Sequence, residues 1–178
     1  MNVDVRDLVA EDVAALHEFF AEVPPEDRTF FKEDVDDPAV AERWVLDQRS
    51  VRRLAVDDDG AIVAFAALLP GVEASRHVAE LVLVVAGQAR RRGLGRSLAR
   101  GMLIEALEHG FRKVMVETVA DNIAAVEMFQ KIGFEPEALL RDHLCSPDGQ
   151  VHDIVLLAHS VDETWSTMLT GGLDEAVL

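Results

Sequence analysis

A mixed α/β fold with a central, mostly antiparallel sheet of six or seven strands and about four flanking helices is predicted by three features of this sequence. The elements run in the order βααββ, then βαβα, then ββ. The stretch Val78 to Val85 is almost wholly apolar, as expected of a strand buried on both faces. A glycine turn, Gly93 to Gly95, follows it and opens a helix.

Val3 and Val5, with Leu8 and Val9 beyond, predict a first strand, and Glu11 to Glu22 predicts a helix with Leu16, Phe19 and Phe20 on one side. Pro24 and Pro25 stop that helix, and the stretch 23–36 reads as a loop. Asp37 then supplies an N-cap and Pro38 a first-turn proline for a second helix reaching about Gln48. Arg53 to Val56 and Ala61 to Leu69, joined by Asp57-Asp58-Asp59-Gly60, form a hairpin. Glu80 is the only ionisable residue in the central strand, and a carboxylate there needs a reason.

The helix after the glycine turn carries Leu94, Leu98, Met102 and Leu103 on its apolar face and ends at Gly110. Lys113 to Thr118 is the next strand. Asp121 or Asn122 caps a helix over Ile123 to Lys131 that stops at Gly133. The closing hairpin, Phe134 to Leu144 with Gln150 to Ala158, turns at Ser146-Pro147-Asp148-Gly149. One domain over 1–160 is expected, followed by a tail, 161–178, that reads equally as a frayed end or a short packing helix.

The chain of 178 residues has 33 acidic side chains against 17 Lys plus Arg, a formal charge of −16 that opposes binding to nucleic acid or anionic membrane and favours cationic ligands. Keeping the protein soluble is the equally economical reading of that charge. No apolar run approaches the roughly 20 residues of a membrane span, and the acidic N-terminal sequence lacks the pattern of a signal peptide, so a cytoplasmic protein is expected. A lone cysteine, Cys145, agrees with a reducing compartment and reads as a small, partly buried hydrophobe before it reads as a nucleophile. No His, Cys and acid grouping has metal-ligand spacing, so no metal is expected.

Against this acidic background Arg90, Arg91, Arg92 and Arg96 cluster around the glycine turn. Unpaired N–H groups at a helix start bind phosphate, glycines let the backbone approach, and arginines add charge-assisted contacts. The turn also partly mimics a dinucleotide fingerprint, with Glu117 ending the next strand. That reading fails because the third glycine position is Leu98 and the motif does not open a βαβ unit.

The segment LVLVVAGQARRRGLGRSLARGML resembles motif A of the GNAT acyltransferases: Arg90, then Arg91-Arg92, Gly93, Leu94 and Gly95 match its spacing without a gap. ETVADNIAAVEMFQKIGFEP resembles motif B, with Asn122, the helix Ile123 to Lys131 and Gly133-Phe134. The resemblance implies the GNAT fold, with a splayed central pair of parallel strands, and acyl transfer from acetyl-CoA to an amine. It further implies that the backbone of Leu83, Val84 and Val85 pairs with pantetheine and offers an N–H to the thioester carbonyl. Amides from Arg90 through Arg96 would hold the pyrophosphate, and Asn122 would contact the cofactor arm. Glu80 is the candidate general base, against the alternative that it points into solvent or pairs with a nearby arginine. Gly87 stands where the family often has proline. Phe129 stands where many members place a tyrosine that protonates the departing thiolate; the chain contains no tyrosine at all, so Phe129 is expected to pack on the cofactor arm. Water, Ser146, Cys145, His143 or His152 are left as substitutes for that acid.

The resemblance assigns the acceptor site to Phe19–Trp44 and Arg141–His152. Phe30, Phe31 and Trp44 read either as an apolar slot or as core, and Glu33, Asp34, Asp36 and Asp37 either as a cation attractor or as a solvated loop. The acceptor is expected to be an amine-bearing small molecule, a protein lysine or a protein N-terminus. PPEDRTFF and AELVLVV resemble the acetyltransferase module of bacterial protein-lysine acylating enzymes. A homodimer is one expected state. A catalytically weak, acyl-CoA-binding regulatory module is the alternative function.

Overall fold

The computed structural model describes residues 2–28, 31–146 and 148–161. Seven strands form one sheet: β1 (Val3–Asp7), β2 (Val51–Asp57), β3 (Ile62–Pro70), β4 (Val78–Val85), β5 (Lys113–Val119), β6 (Glu135–Cys145) and β7 (Val151–Ser160). Their order is β1-β2-β3-β4-β5-β7-β6. Every neighbouring pair is antiparallel except β4 with β5. The helices are α1 (Val13–Glu22), α2 (Pro25–Arg28), α3 (Pro38–Leu46), α4 (Leu94–Glu108) and α5 (Ile123–Gln130).

Side chains that alternate along the sheet feed two cores. Ala79 and Leu81 of β4 join Val114 and Val116 of β5 beneath α4, whose Leu98, Met102 and Leu103 are buried there. The other face carries Val84 and Phe65 against α1 and α3, where Leu16, Phe20 and Trp44 are buried. Each large side chain buried this way contributes about 1.5–3 kcal/mol. α1 and α3 therefore lie on the face opposite α4, with β4 serving both cores.

The expected elements stand at their expected places, with three corrections. The stretch 23–36 is not all loop: Pro25 starts a single helical turn, α2, because a proline at the first position loses no intrahelical bond. Leu8 and Val9 do not extend β1, which ends at Asp7; they lead into a 3-10 turn at Ala10–Asp12, with Val9 at its N-cap. β6 is not one regular strand. Its register with β7 shifts twice, and Asp142 adopts a positive φ of 47° while its N–H donates to Asp153 Oδ1 at 2.9 Å. The hairpin turn at 146–149 closes through Gly149 N–H to the Ser146 carbonyl at 2.8 Å; its Pro147 lies outside the described residues.

Phe31 and Trp44 belong to the core. Trp44 stacks on Phe65 with ring centroids 5.2 Å apart and on Phe31 at 6.0 Å, and its indole N–H donates to Glu33 Oε2 at 2.5 Å. Phe30 and the tail 162–178 lie outside the described residues. Among the described residues no helix is long and apolar enough to cross a membrane.

Asp12 ties β1 to the start of α1. Both its oxygens accept from Arg6, at 2.6 and 2.7 Å, and one also accepts the Val9 N–H at 3.0 Å. The Arg6 hydrogen bonds hold this carboxyl below the usual carboxylate range. A depressed folded-state value means that its stabilisation is fully present above the unfolded carboxylate value of about 3.9 and is lost as pH falls through the folded value. Asp12→Asn is expected to lower unfolding free energy by about 1–2 kcal/mol at neutral pH, Arg6 being partly exposed. The gap between variant and wild type in denaturant unfolding should begin to narrow below the free carboxylate value of about 3.9 and close as pH falls through the lower folded value.

Candidate functional site

The parallel ladder between β4 and β5 is short. It pairs Val78 with Lys113, Ala79 with Val114 and Glu80 with Met115, and then stops. From Leu81 to Val85, β4 stays in register with β3, while Val116 to Val119 of β5 stay with β7. The two strands therefore fork, and the vertex is Glu80. A cleft of about 570 Å³ occupies the fork, walled by β4, β5, the turn before α4 and the start of α5.

The turn is shaped for close approach. Arg91 has φ 61° and Gly93 has φ 82°, so the chain passes through the left-handed region on either side of Arg92 before α4 begins. The first intrahelical bond runs from Ser97 N–H to the Gly93 carbonyl at 2.9 Å. The N–H groups of Leu94, Gly95 and Arg96 thus have no acceptor within the helix. A Cβ built on Gly95 would meet Val85 Cγ2 at 3.5 Å, Met128 Sδ at 3.6 Å and Leu83 Cδ2 at 3.9 Å, so the missing side chain keeps a groove between α4, α5 and β4. A diphosphate-bearing chain such as CoA fits these features, with the amides at one end and an apolar strand edge leading inward.

Most residues singled out from the sequence converge on this cleft. Leu83, Val84, Val85, Arg90, Arg91, Gly93, Gly95 and Arg96 line it, as do Glu80, Asn122 and Phe129. Arg92 and Leu94 do not. Arg90 is anchored: its Nε donates to the Val85 carbonyl at 2.9 Å and its Nη2 meets Asp27 Oδ2 at 2.5 Å, which joins the turn to β4 and to α2. Asn122 caps α5 by accepting the Ala125 N–H at 3.2 Å, which commits its carbonyl oxygen to the helix start. Phe129 is buried, edge-to-face with Phe134 at 5.2 Å, and presents a wall with no donor.

Glu80 shares its face of β4 with Val84, toward α1 and α3, and its side chain is 21% exposed. Lys32, from the segment between α2 and α3, donates its ammonium to Glu80 Oε2. Partial exposure is therefore present together with its place at the cleft, and the partner is a lysine where the alternative named an arginine.

The acids of the first helical region have structural partners: Glu33 accepts from Trp44 and Arg43, Asp36 pairs with Arg28, and Asp37 caps α3. Cys145 is exposed, because it stands on the sheet's last strand. His143, His152, Cys145 and Ser146 do not line the cleft. Several lining residues were not assigned to the site, among them Asp27, Glu117 and Thr118, whose side chain is buried in the β5 wall. Glu117 and Thr118 open the segment that resembles motif B and Asp27 lies within PPEDRTFF, but no role is attached to them there, and the fork and the α2 turn bring them to the wall. Among the described residues no cluster of His, Cys, Asp and Glu could hold a metal ion.

The sequence and the fold have counterparts in known proteins. The sequence model of the family described as the acetyltransferase (GNAT) family matches residues 13–134. The alanine N-acetyltransferase of ribosomal protein bS18 from Escherichia coli K12 is 28% identical over 67 residues, 38% of this chain. The match spans 45% of that curated relative's length. Among solved structures, a GCN5-related N-acetyltransferase from Kribbella flavida is 27% identical with a TM-score of 0.75, covering 89% of this chain and 97% of that one. A phosphinothricin acetyltransferase from Sinorhizobium meliloti, solved with acetyl-CoA, is 18% identical with a TM-score of 0.75, covering 92% and 90%. Forked parallel strands, a glycine turn at the mouth of the fork and a family match over more than half the sequence agree: the chain belongs to the GNAT acetyltransferase family.

Proposed function

We propose that this protein is an N-acetyltransferase that moves an acetyl group from acetyl-CoA to a primary amine by direct attack on the thioester. The observation that carries this reading is the coincidence of a strand fork, a phosphate-suited helix start and a single carboxylate, Glu80, at the vertex. When bound, acetyl-CoA supplies the activated acyl carbon and a thiol leaving group.

The roles of the chain's own groups follow from their positions. The amides of Leu94, Gly95 and Arg96, with the side chains of Arg91 and Arg96 beside them, hold the diphosphate. The β4 backbone at Leu83, Val84 and Val85, released from β5, is available to the pantetheine amides and to the acyl oxygen. Glu80 accepts a proton from the incoming ammonium, whose free value near 10.4 makes it unreactive until deprotonated. Phe129 and Met128 form the apolar wall at α5.

No tyrosine is present to protonate the departing sulfur. A thiol of pKa about 8.5 leaves adequately at neutral pH, which makes this acid dispensable. The acceptor is a small amine or a protein amine, in keeping with the relative that acetylates a ribosomal protein alanine and with the acidic surface. The single cysteine fits a reducing compartment such as the cytoplasm. The second reading, an acyl-CoA-binding module with little turnover, draws on Phe129 and the missing tyrosine.

The first of two predictions separates these readings, and the second tests the cradle common to both. In a broad amine panel followed by thiol release, at least one amine should be acetylated by the wild type, and Glu80→Gln should lower kcat about 100-fold or more. Tight acetyl-CoA binding without release on any amine would favour the binding module instead. At the cradle, Gly95→Ala should leave turnover near wild type, because a Cβ there makes ordinary contacts. Gly95→Leu should fill the groove and raise KM for acetyl-CoA about tenfold or more, a loss of about 1.4 kcal/mol. Steady-state kinetics on both variants checks this.

A further inference from the structure

The chain contains three lysines, Lys32, Lys113 and Lys131, and the structure pairs each with a glutamate. Lys113 meets Glu137 at 2.6 Å and Lys131 meets Glu127 at 3.0 Å. Both of those carboxylates are well exposed, and neither lines the cleft. Lys32 differs in its partner. Its ammonium donates to Glu80 Oε2, the largely buried carboxylate at the vertex of the fork.

The group assigned above to take a proton from an incoming amine already holds an amine, and the chain itself supplies it. Lys32 is otherwise little constrained: its side chain is 64% exposed on a flexible four-carbon stem, reaching Glu80 from the segment between α2 and α3. Lys32 is not itself among the cleft's lining residues, but its ammonium is hydrogen-bonded to the proposed base, which is, and that contact is the one an acceptor amine must make to lose its proton.

We propose that Lys32 is an acceptor in cis, so that the protein acetylates its own Lys32 ε-amine; this rests on the acetyl-transfer reading above. Glu80 takes one proton from the Lys32 ammonium, and the exposed nitrogen lone pair forms a C–N bond with the acyl carbon. The C–S bond breaks, and its electron pair leaves with the sulfur, which takes the second amine proton. The products are Nε-acetyl-Lys32 and the CoA thiol, and the proton on Glu80 passes to solvent. Acetylation removes the lysine charge and with it the ion pair, which leaves Glu80 open to a second amine. Self-modification of Lys32 thus converts the site from self-occupied to available.

The test follows purified full-length protein with acetyl-CoA and no added amine, by peptide mass mapping. Acetyl should accumulate on Lys32 with a rate constant independent of protein concentration, at least about tenfold faster than on Lys113 or Lys131. Glu80→Gln should slow the Lys32 reaction about 100-fold or more. A second readout needs no acetyl-CoA: reductive methylation with formaldehyde and borohydride should become faster at Lys32 in Glu80→Gln and stay unchanged at Lys113 and Lys131. Lys32 left unmodified, acetylated no faster than Lys131, or acetylated at an equal rate in Glu80→Gln overturns the proposal, as does methylation of Lys32 indifferent to Glu80→Gln. If those results come with thiol release on the amine panel, self-acetylation falls and transfer to other amines stands. If thiol release is absent too, both readings fall.

Discussion

The early end of the β4–β5 ladder is the constraint on which the rest of this structure depends. Parallel pairing stops at Glu80 and Met115, so each strand beyond that point is supported from its outer side, β4 by β3 and β5 by β7. A buried strand edge with unmatched N–H and C=O groups is costly unless a partner satisfies it. The fork therefore defines both a cavity and the kind of ligand suited to it, one with amides of its own along an extended arm. The antiparallel neighbours keep the fork from collapsing, because both outer ladders continue through the stretch where the inner one is lost.

Charge is distributed around the fork in a way that suits two unlike ligands. The whole molecule is strongly acidic, yet Arg90, Arg91 and Arg96 gather at one end of the cleft. Arg90 is tied to the Val85 carbonyl and Asp27, so its main contribution is to set the turn against β4, and Arg91 and Arg96 are the arginines of the cleft lining proposed for the phosphates. Glu80 stands at the other end, on the face of the sheet shared with α1 and α3. In the proposed reaction an anionic donor and a cationic acceptor would approach from opposite faces of one strand and meet at its vertex. Phe20, Phe31, Trp44 and Phe65 pack together on the α1 and α3 face of the sheet, so Phe31 and Trp44 belong to the core and do not line the cleft.

Much of this was legible in the sequence because local chemistry and tertiary need coincide. Gly93 must adopt a positive φ, Asn122 must cap α5, and Val78 to Val85 must be buried on both faces, and each leaves a signature in residue type. The fork left no such mark, since backbone pairing is silent in side chains; it was reached through resemblance. The α2 turn was missed because Pro25 signals both the end of one helix and the start of another. Thr118 and Asp27 carry no motif-assigned role and become part of the wall through the fork and the α2 turn. The Lys32–Glu80 contact joins residues 48 positions apart, a separation at which no periodicity argument operates. Cys145 was expected to be partly buried, and its exposure reflects the placement of β6 at the sheet edge.

The central claim is that the amides at the start of α4 and the edge of β4 receive a CoA chain. Calorimetric titration of CoA into the protein, repeated with adenosine 3′,5′-diphosphate in the cell, tests it most directly. A saturable heat for one site, weakened by the diphosphate, is the predicted result. No heat with CoA and no competition from its adenosine half would contradict the account.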